Sequence, residues 1–584
     1  MPSVALPSHA LFGRRLARRS LLRSGGAMLV AGAAAYTLAC GGGKKQANQG
    51  AASPAAGADP AVAPAGAFIE DLKPRPFVTT PGKPGGILNL HYAGVGANQE
   101  PREMEPIASL DVYLGWLAGF VCNGLVKWVE TKEYGQLEIV PDLAQSWESP
   151  DETALIFKLR QGVRWHDVPP VSGREFVAQD VKFTLDRQSV GGAKFPLAFL
   201  YSSIGSIETP DKYTVVLKLK GRDITLATKL GHPQYVMNAP ETAERYDINP
   251  PTLIGTGPFV MVRYTKGSMF ELRKNPNYWK PGLPYLGGVN LHIVPDPAAR
   301  LANLRSKTVD LDEVPYSQLQ PVRRSNPELV VIKFPGNVQG GFAVNHKAPP
   351  FTDIRVRQAV QLAINIQDFH NILWDGQAQQ NPGCWWWQKP YVLPLSEAFK
   401  QDLQKAKQLL AAAGYADGLR FTAIPTSPDP GPRSAVQQLE IWKDQLKRIN
   451  VDLEILPLDT AQAQQRIFID KAFQAYSYAQ AAAHEDPDRF WMVFVYSKAG
   501  RQVTNYADPR MDQYLEAQRN ARTIEERVDW YQKAQRLNIE DPGYIFLNTP
   551  YKFVAMQPYV RNWVPRASLG SVTRNSDEMW LDKR

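Results

Sequence analysis

From Gly85-Gly86 onward the chain alternates between two hydrophobic periods, and this alternation limits the possible folds more than any single motif does. In Val215, Leu217 and Leu219 the apolar residues fall on every second position, the period of a half-buried strand. Ile87, Leu88 and Leu90 with His91 and Tyr92, residues 153–159 and residues 271–273 read as further strands, the last entering a turn at Asn275-Pro276. In the second half the period lengthens. Val356, Ala359, Val360, Ala363 and Ile364 mark one face of a helix that Thr352 or Asp353 can cap. Residues 403–413 predict a helix stopped by Gly414. Val436, Leu439, Leu446 and Ile449 form the apolar face of the next helix, followed by a strand through Val451, Leu453 and Ile455. Residues 508–521 and 524–540 predict two more helices. Strands interleaved with helices along the whole body predict α/β lobes. A chain of 584 residues, 44% hydrophobic and 21% charged, has room for two to four domains and for a substantial core. No internal repeat is visible.

Before residue 85 neither period exists. The chain opens with Arg14, Arg15, Arg18, Arg19 and Arg23, and Ala17-Arg18-Arg19-Ser20-Leu21-Leu22-Arg23 resembles a twin-arginine export motif. The apolar run at residues 25–39 is shorter than the roughly 20 residues that span a bilayer as a helix. It ends in Thr37-Leu38-Ala39-Cys40, which resembles a bacterial lipobox, with Cys40 as the thiol that takes the lipid. Two or more acyl chains make a stable anchor where one does not. Residues 41–85 turn to Gly, Ala, Pro and Gln and read as a flexible tether that keeps the body near a membrane.

Net charge is +9, which raises the question of a nucleic-acid partner. The five N-terminal arginines account for five of those charges, and +4 over the rest of the chain is no footprint for DNA or RNA. Three cysteines, Cys40, Cys122 and Cys384, make neither a disulfide framework nor a paired metal site, and the last two read as free thiols. The eight histidines show no metal-ligand spacing, and no Ser-His-Asp or Cys-His grouping carries a local signature. No cofactor, metal or catalysis is expected. Gly41-Gly42-Gly43-Lys44-Lys45 lacks the spacing of a nucleotide-binding loop.

Seven blocks then occur in order. They are Pro141-Asp142-Leu143-Ala144-Gln145-Ser146-Trp147; Leu159-Arg160-Gln161-Gly162-Val163-Arg164-Trp165-His166-Asp167; residues 176–183; Gly255-Thr256-Gly257-Pro258-Phe259; Asn275-Pro276-Asn277-Tyr278-Trp279; Asn345 with residues 350–359; and Tyr506-Ala507-Asp508-Pro509 with Glu525-Glu526-Arg527. Together they resemble the family 5 solute-binding proteins of bacteria and archaea, from about residue 85 to about residue 560.

The resemblance implies an α/β, two-lobed periplasmic-binding-protein fold (type II, large class) with an extra subdomain in the first lobe. The N-terminal motifs predict residues 1–39 as signal peptide and 40–85 as lipidated cysteine and tether, and the resemblance implies 86–340 as lobe 1, 341–545 as lobe 2, and 546–584 as a return to lobe 1. The lobes close on a small solute, peptide by family default, and deliver it to a permease powered by separate ATPase subunits of an ABC importer. A monomer outside the cytoplasmic membrane is expected. Most block residues read as structural: Gly255 and Gly257 as turn glycines, Asp353 as a helix cap.

The expected ligand-binding residues are Asn345, Trp385, Trp386, Trp387, His484, Glu485 and Asp486. Three adjacent tryptophans cannot all face one core, and their rings suit sugars, apolar side chains or cations. Peptide binders of this family often carry an Asp three residues before the Asp-Pro matched here by Asp486-Pro487, and it pairs with the ligand's α-amino group. This chain has Ala483 there, with His484 in place of the Tyr. That departure keeps a non-peptide solute such as an oligosaccharide open, and an extracytoplasmic hydrolase or peptide-holding chaperone remains the alternative of another class.

Overall fold

The computed structural model describes residues 68–69, 81–92, 104–106, 112–130, 137–189, 195, 198–232, 235–243, 253–336, 338–383, 390–427, 434–481, 486–499, 502–565 and 575–583. The unit Met1–Gly57, with Cys40 and the signal-like segment, lies outside them, as does the tether apart from residues 68–69 and 81–85. All the elements described belong to the unit Ala58–Arg584.

The period-two segments become strands of two sheets, the larger with thirteen described members. Its main path runs Val451–Ile455, Leu419–Pro425, Ala475–Ala481, Val338–Val344, Tyr544–Met556, Leu311–Glu313, Ile87–His91, Gly288–His292, Met269–Lys274, Phe259–Thr265. Strands from residues 338–481 fill one end and strands from residues 87–335 fill the other. They meet on Tyr544–Met556, a strand of 13 residues buried along most of its length. Its first part pairs antiparallel with Val338–Val344. Its last part pairs with Val330–Pro335 and Leu311–Glu313. The chain crosses between the two groups a second time at residues 335–338, beside the first crossing, where the Gly336 N–H donates to the Pro550 carbonyl at 2.7 Å. A Cβ on Gly336 would come within 2.6 Å of that oxygen, so the close approach requires glycine here.

Each end has its own core. Leu88, Leu90, Phe259, Leu272, Val289 and Leu291 are buried in the first. Phe342, Phe369, Val360, Leu439, Trp442 and Leu453 are buried in the second, where Phe342 stacks on Trp442 with ring centroids 4.0 Å apart. A separate antiparallel sheet, ordered Ala144–Asp151, Ala154–Leu159, Thr214–Leu219, Ile204–Asp211, carries helix Ala178–Ser189 and a third core around Phe157, Trp165 and Leu217. The two-lobed α/β arrangement with an added subdomain is the expected fold class.

The helices follow their local signals. Asp353 caps Ile354–Leu362 by accepting the Arg355 N–H, and Leu403–Ala412 ends before Gly414, whose φ is +90°.

Candidate functional site

Of the expected ligand-binding residues, Trp385, Trp386, Trp387, His484 and Glu485 lie outside the described residues, as does Cys384. Asn345 and Asp486 are described, and both are held by protein partners. Asn345 follows strand Val338–Val344 of the second lobe. Its amide nitrogen donates to the Lys471 and Phe473 carbonyls at 3.1 and 3.0 Å, and its oxygen accepts from the Lys347 N–H and the Asn505 amide. That set uses every donor and acceptor of the side chain. Asn345 therefore ties loops of the second lobe together.

Asp486 sits where the lobes meet. Its carboxylate accepts from Arg527 Nη2 at 2.6 Å, with both side chains almost fully buried. It also accepts from the Thr228 hydroxyl of the first lobe at 2.9 Å. Arg527 further donates to the Tyr391 hydroxyl and the Gln518 side chain. Burial alone would weaken the charge on Arg527, but Asp486 outweighs it and holds the guanidinium protonated. Two sequence blocks, at residue 486 and residue 527, thus meet in one ion pair.

Beside it lies a second charged group that spans the lobes. Helix Leu226–Leu230 of the first lobe points Lys229 at two carboxylates: Asp223 of its own lobe at 3.2 Å and Asp488 of the other at 3.3 Å. Asp488 is also gripped by Arg519 Nε and Nη2 at 3.0 and 2.7 Å. The Ile224 N–H donates to the Arg519 carbonyl across the same boundary at 3.0 Å. Burial pushes the Asp488 carboxyl up, yet Arg519 and Lys229 hold it well below the usual range. Asp223 is depressed by the same balance of burial against Lys229 and Arg519. None of Thr228, Lys229, Asp488 or Arg519 was marked by the sequence. Asp486-Pro487 was visible, but its cross-lobe partner Thr228 lies 258 positions away.

A cavity of about 360 Å³ opens next to this group, within the size range of small-molecule sites. The first lobe contributes Ser203, Arg222 and Asp223, and the second contributes Tyr496, Lys498 and Arg519. Most of its charges are paired, Arg222 with Glu152, Lys498 with Glu516 and Arg519 with Asp488, while Lys220 donates to the Ser202 carbonyl.

The glycine and histidine blocks prove structural, for a reason other than a turn. Neither Gly255 nor Gly257 has a positive φ. A Cβ on Gly255 would come within 2.1 Å of the Val121 carbonyl, and one on Gly257 within 2.5 Å of it, so both are needed for close packing on the end of helix Val112–Val121. His166 bridges them: its Nδ1 accepts the Gly255 N–H at 3.3 Å, and Nε2 lies 3.0 Å from the Gly257 carbonyl. Cys122 is a buried free thiol whose ionisation burial pushes far up. Among the described residues no group of three or more His, Cys, Asp or Glu is placed to hold a metal ion.

Known proteins share both sequence and fold. The model for bacterial extracellular solute-binding proteins, family 5 middle, matches residues 138–502, more than half of the chain. "Di/tripeptide-binding protein 2" of Pseudomonas aeruginosa is 26% identical over 456 residues, 74% of this chain and 84% of that protein. "Heme-binding protein A" of Haemophilus influenzae is 26% identical over 469 residues, 75% of this chain and 83% of that protein. The ABC transporter-associated periplasmic binding protein DppA of Helicobacter pylori, solved with the peptide STSA, is 27% identical with a TM-score of 0.71, covering 86% of this chain and 99% of that one. With two lobes joined on a shared strand and a family match through most of both, this chain belongs to the family 5 extracellular solute-binding proteins, the substrate-binding proteins of ABC transporters.

Proposed function

We propose that this chain captures short peptides outside the cytoplasmic membrane, closing its lobes over them and handing them to a permease. The observation that carries this reading is the pair of adjacent crossings at residues 335–338 and on strand Tyr544–Met556. Two crossings side by side let the lobes rotate about one line, the geometry of hinge closure around a ligand. In this reading residues 86–340 and 546–584 form lobe 1, residues 341–545 form lobe 2, and the chain works as a monomer. The di/tripeptide-binding relative and the peptide complex of DppA supply the cargo class. Trp385, Trp386, Trp387, His484 and Glu485 are offered as cleft residues on their sequence positions.

Cys40 is the proposed lipid attachment point, after a twin-arginine-type signal. No helix among the described residues is long and apolar enough to cross a membrane. Labelling with a radioactive fatty acid, lost in Cys40→Ser, checks the anchor.

A second reading rests on Ala483. Without a carboxylate there, a solute lacking a free α-amine, such as an oligosaccharide, fits the position as well. A thermal-shift screen of the mature chain against di- and tripeptides, oligosaccharides and nickel chelates decides between them. A ligand at about 100 times its Kd adds roughly 2.7 kcal/mol and raises Tm by a few degrees. Peptide-induced shifts support the first reading, sugar-only shifts support the second, and no shift in any class removes both.

A further inference from the structure

The charged group between the lobes offers more than structural support. Lys229, Asp223 and Asp488 have side chains exposed by 2%, 1% and 0%, so three ionic groups are withdrawn from water at a boundary that solute capture requires to open. Isolated buried charges would make such a boundary either permanent or unstable. Here each lobe keeps its own charges paired when the boundary opens. Asp223 retains Lys229, the Thr225 N–H at 2.9 Å and the Ser203 hydroxyl at 2.7 Å. Asp488 retains both nitrogens of Arg519. Of these ionic pairs, Lys229–Asp488 is the one made on closing and lost on opening. It forms in a water-poor setting, where a charge-assisted contact is stronger than at a surface.

We propose that Lys229 is a positioning residue for solute retention: through Asp488 it latches the two lobes in the closed arrangement. The latch rests on the reading that the lobes close over solute, but it acts without touching solute.

The Ile224 amide is a built-in reporter, because its acceptor, the Arg519 carbonyl, belongs to the other lobe. Hydrogen exchange is followed on the full mature chain with no ligand present, comparing Ile224 with the amides of Thr214–Leu219, inside the four-stranded sheet. In Lys229→Met, exchange at Ile224 rises about tenfold while Thr214–Leu219 stays unchanged, and Lys229→Arg restores protection. An unchanged Ile224, or a parallel rise in Thr214–Leu219, overturns the proposal, the second because it marks a general loss of stability. Should Lys229→Met fail to fold, Asp488→Asn is read in the same way with the same expectations. Since no solute is added, failure of the peptide screen and failure of the latch are separate results.

Discussion

At the scale of single residues, His166 shows how a block that looks functional serves the core. Burial lowers its pKa to about 4. The hydrogen bonds agree: Nδ1 accepts from Gly255, so the ring proton sits on Nε2 and faces the Gly257 carbonyl, and a second proton would break the first contact. The unfolded chain takes up this proton near the ordinary pKa of about 6.5. Between those two values the unfolded state binds more protons, so stability is complete above about 6.5 and falls as pH drops toward 4. For His166 the loss is about 3 kcal/mol. His346, lowered to about 3 by burial and the Arg357 charge, and His370, lowered to about 4 by burial, act in the same direction. Urea unfolding measured from pH 7 to pH 4 is expected to show a falling midpoint, and His166→Gln a shallower fall. Equal slopes in the two proteins would contradict the neutral-histidine assignment. The sequence marks His166-Asp167 as notable without revealing why, because its glycine partners lie about ninety positions on.

Among the elements, the strongly periodic ones were legible and the weakly periodic ones were not. Ile354–Leu362, Leu403–Ala412, Pro509–Asn520 and Ile524–Glu540 fall where apolar spacing and caps put them. Ala144–Asp151 was visible only as a motif, since it is an edge strand whose side chains are mostly exposed and polar. Trp491–Val495 carries the bulky apolar composition of a strand but winds helically, and because it is buried on nearly every side it shows no period that would tell the two apart. The hydrogen-bond role of Asn345 was hidden for a similar reason: its loop partners at Lys471, Phe473 and Asn505 are invisible from its own neighbourhood. Replacing Asn345 by alanine leaves the buried Phe473 carbonyl and the half-buried Lys471 carbonyl and Lys347 N–H short of a partner, near the ends of Val338–Val344 and Ala475–Ala481. Asn345→Ala is expected to cost about 1–3 kcal/mol in chemical unfolding while leaving solute Kd unchanged. A raised Kd at unaltered stability would return Asn345 to the binding site.

For the whole molecule, the family resemblance that the sequence blocks carry implied two lobes, but not the contacts between them. These contacts join residue 224 to 519, 228 to 486 and 229 to 488, and no local pattern encodes such pairs. The same long range governs the shared strand. A chain ending at residue 543 lacks the partner of Val338–Val344 and of Val330–Pro335 together. Such a truncation is expected to lose the cooperative thermal transition of both lobes, read by near-ultraviolet circular dichroism. Survival of one lobe's transition would mean that its core stands without the strand.

Strand Tyr544–Met556 also sets a clock. It leaves the ribosome after every other described member of the sheet it completes, so both lobes wait for it. Non-local strand pairing is slow to form and exposes unpaired edges until it does. A nascent chain stalled anywhere upstream is therefore still unfinished in both lobes, at the middle of the sheet where they join.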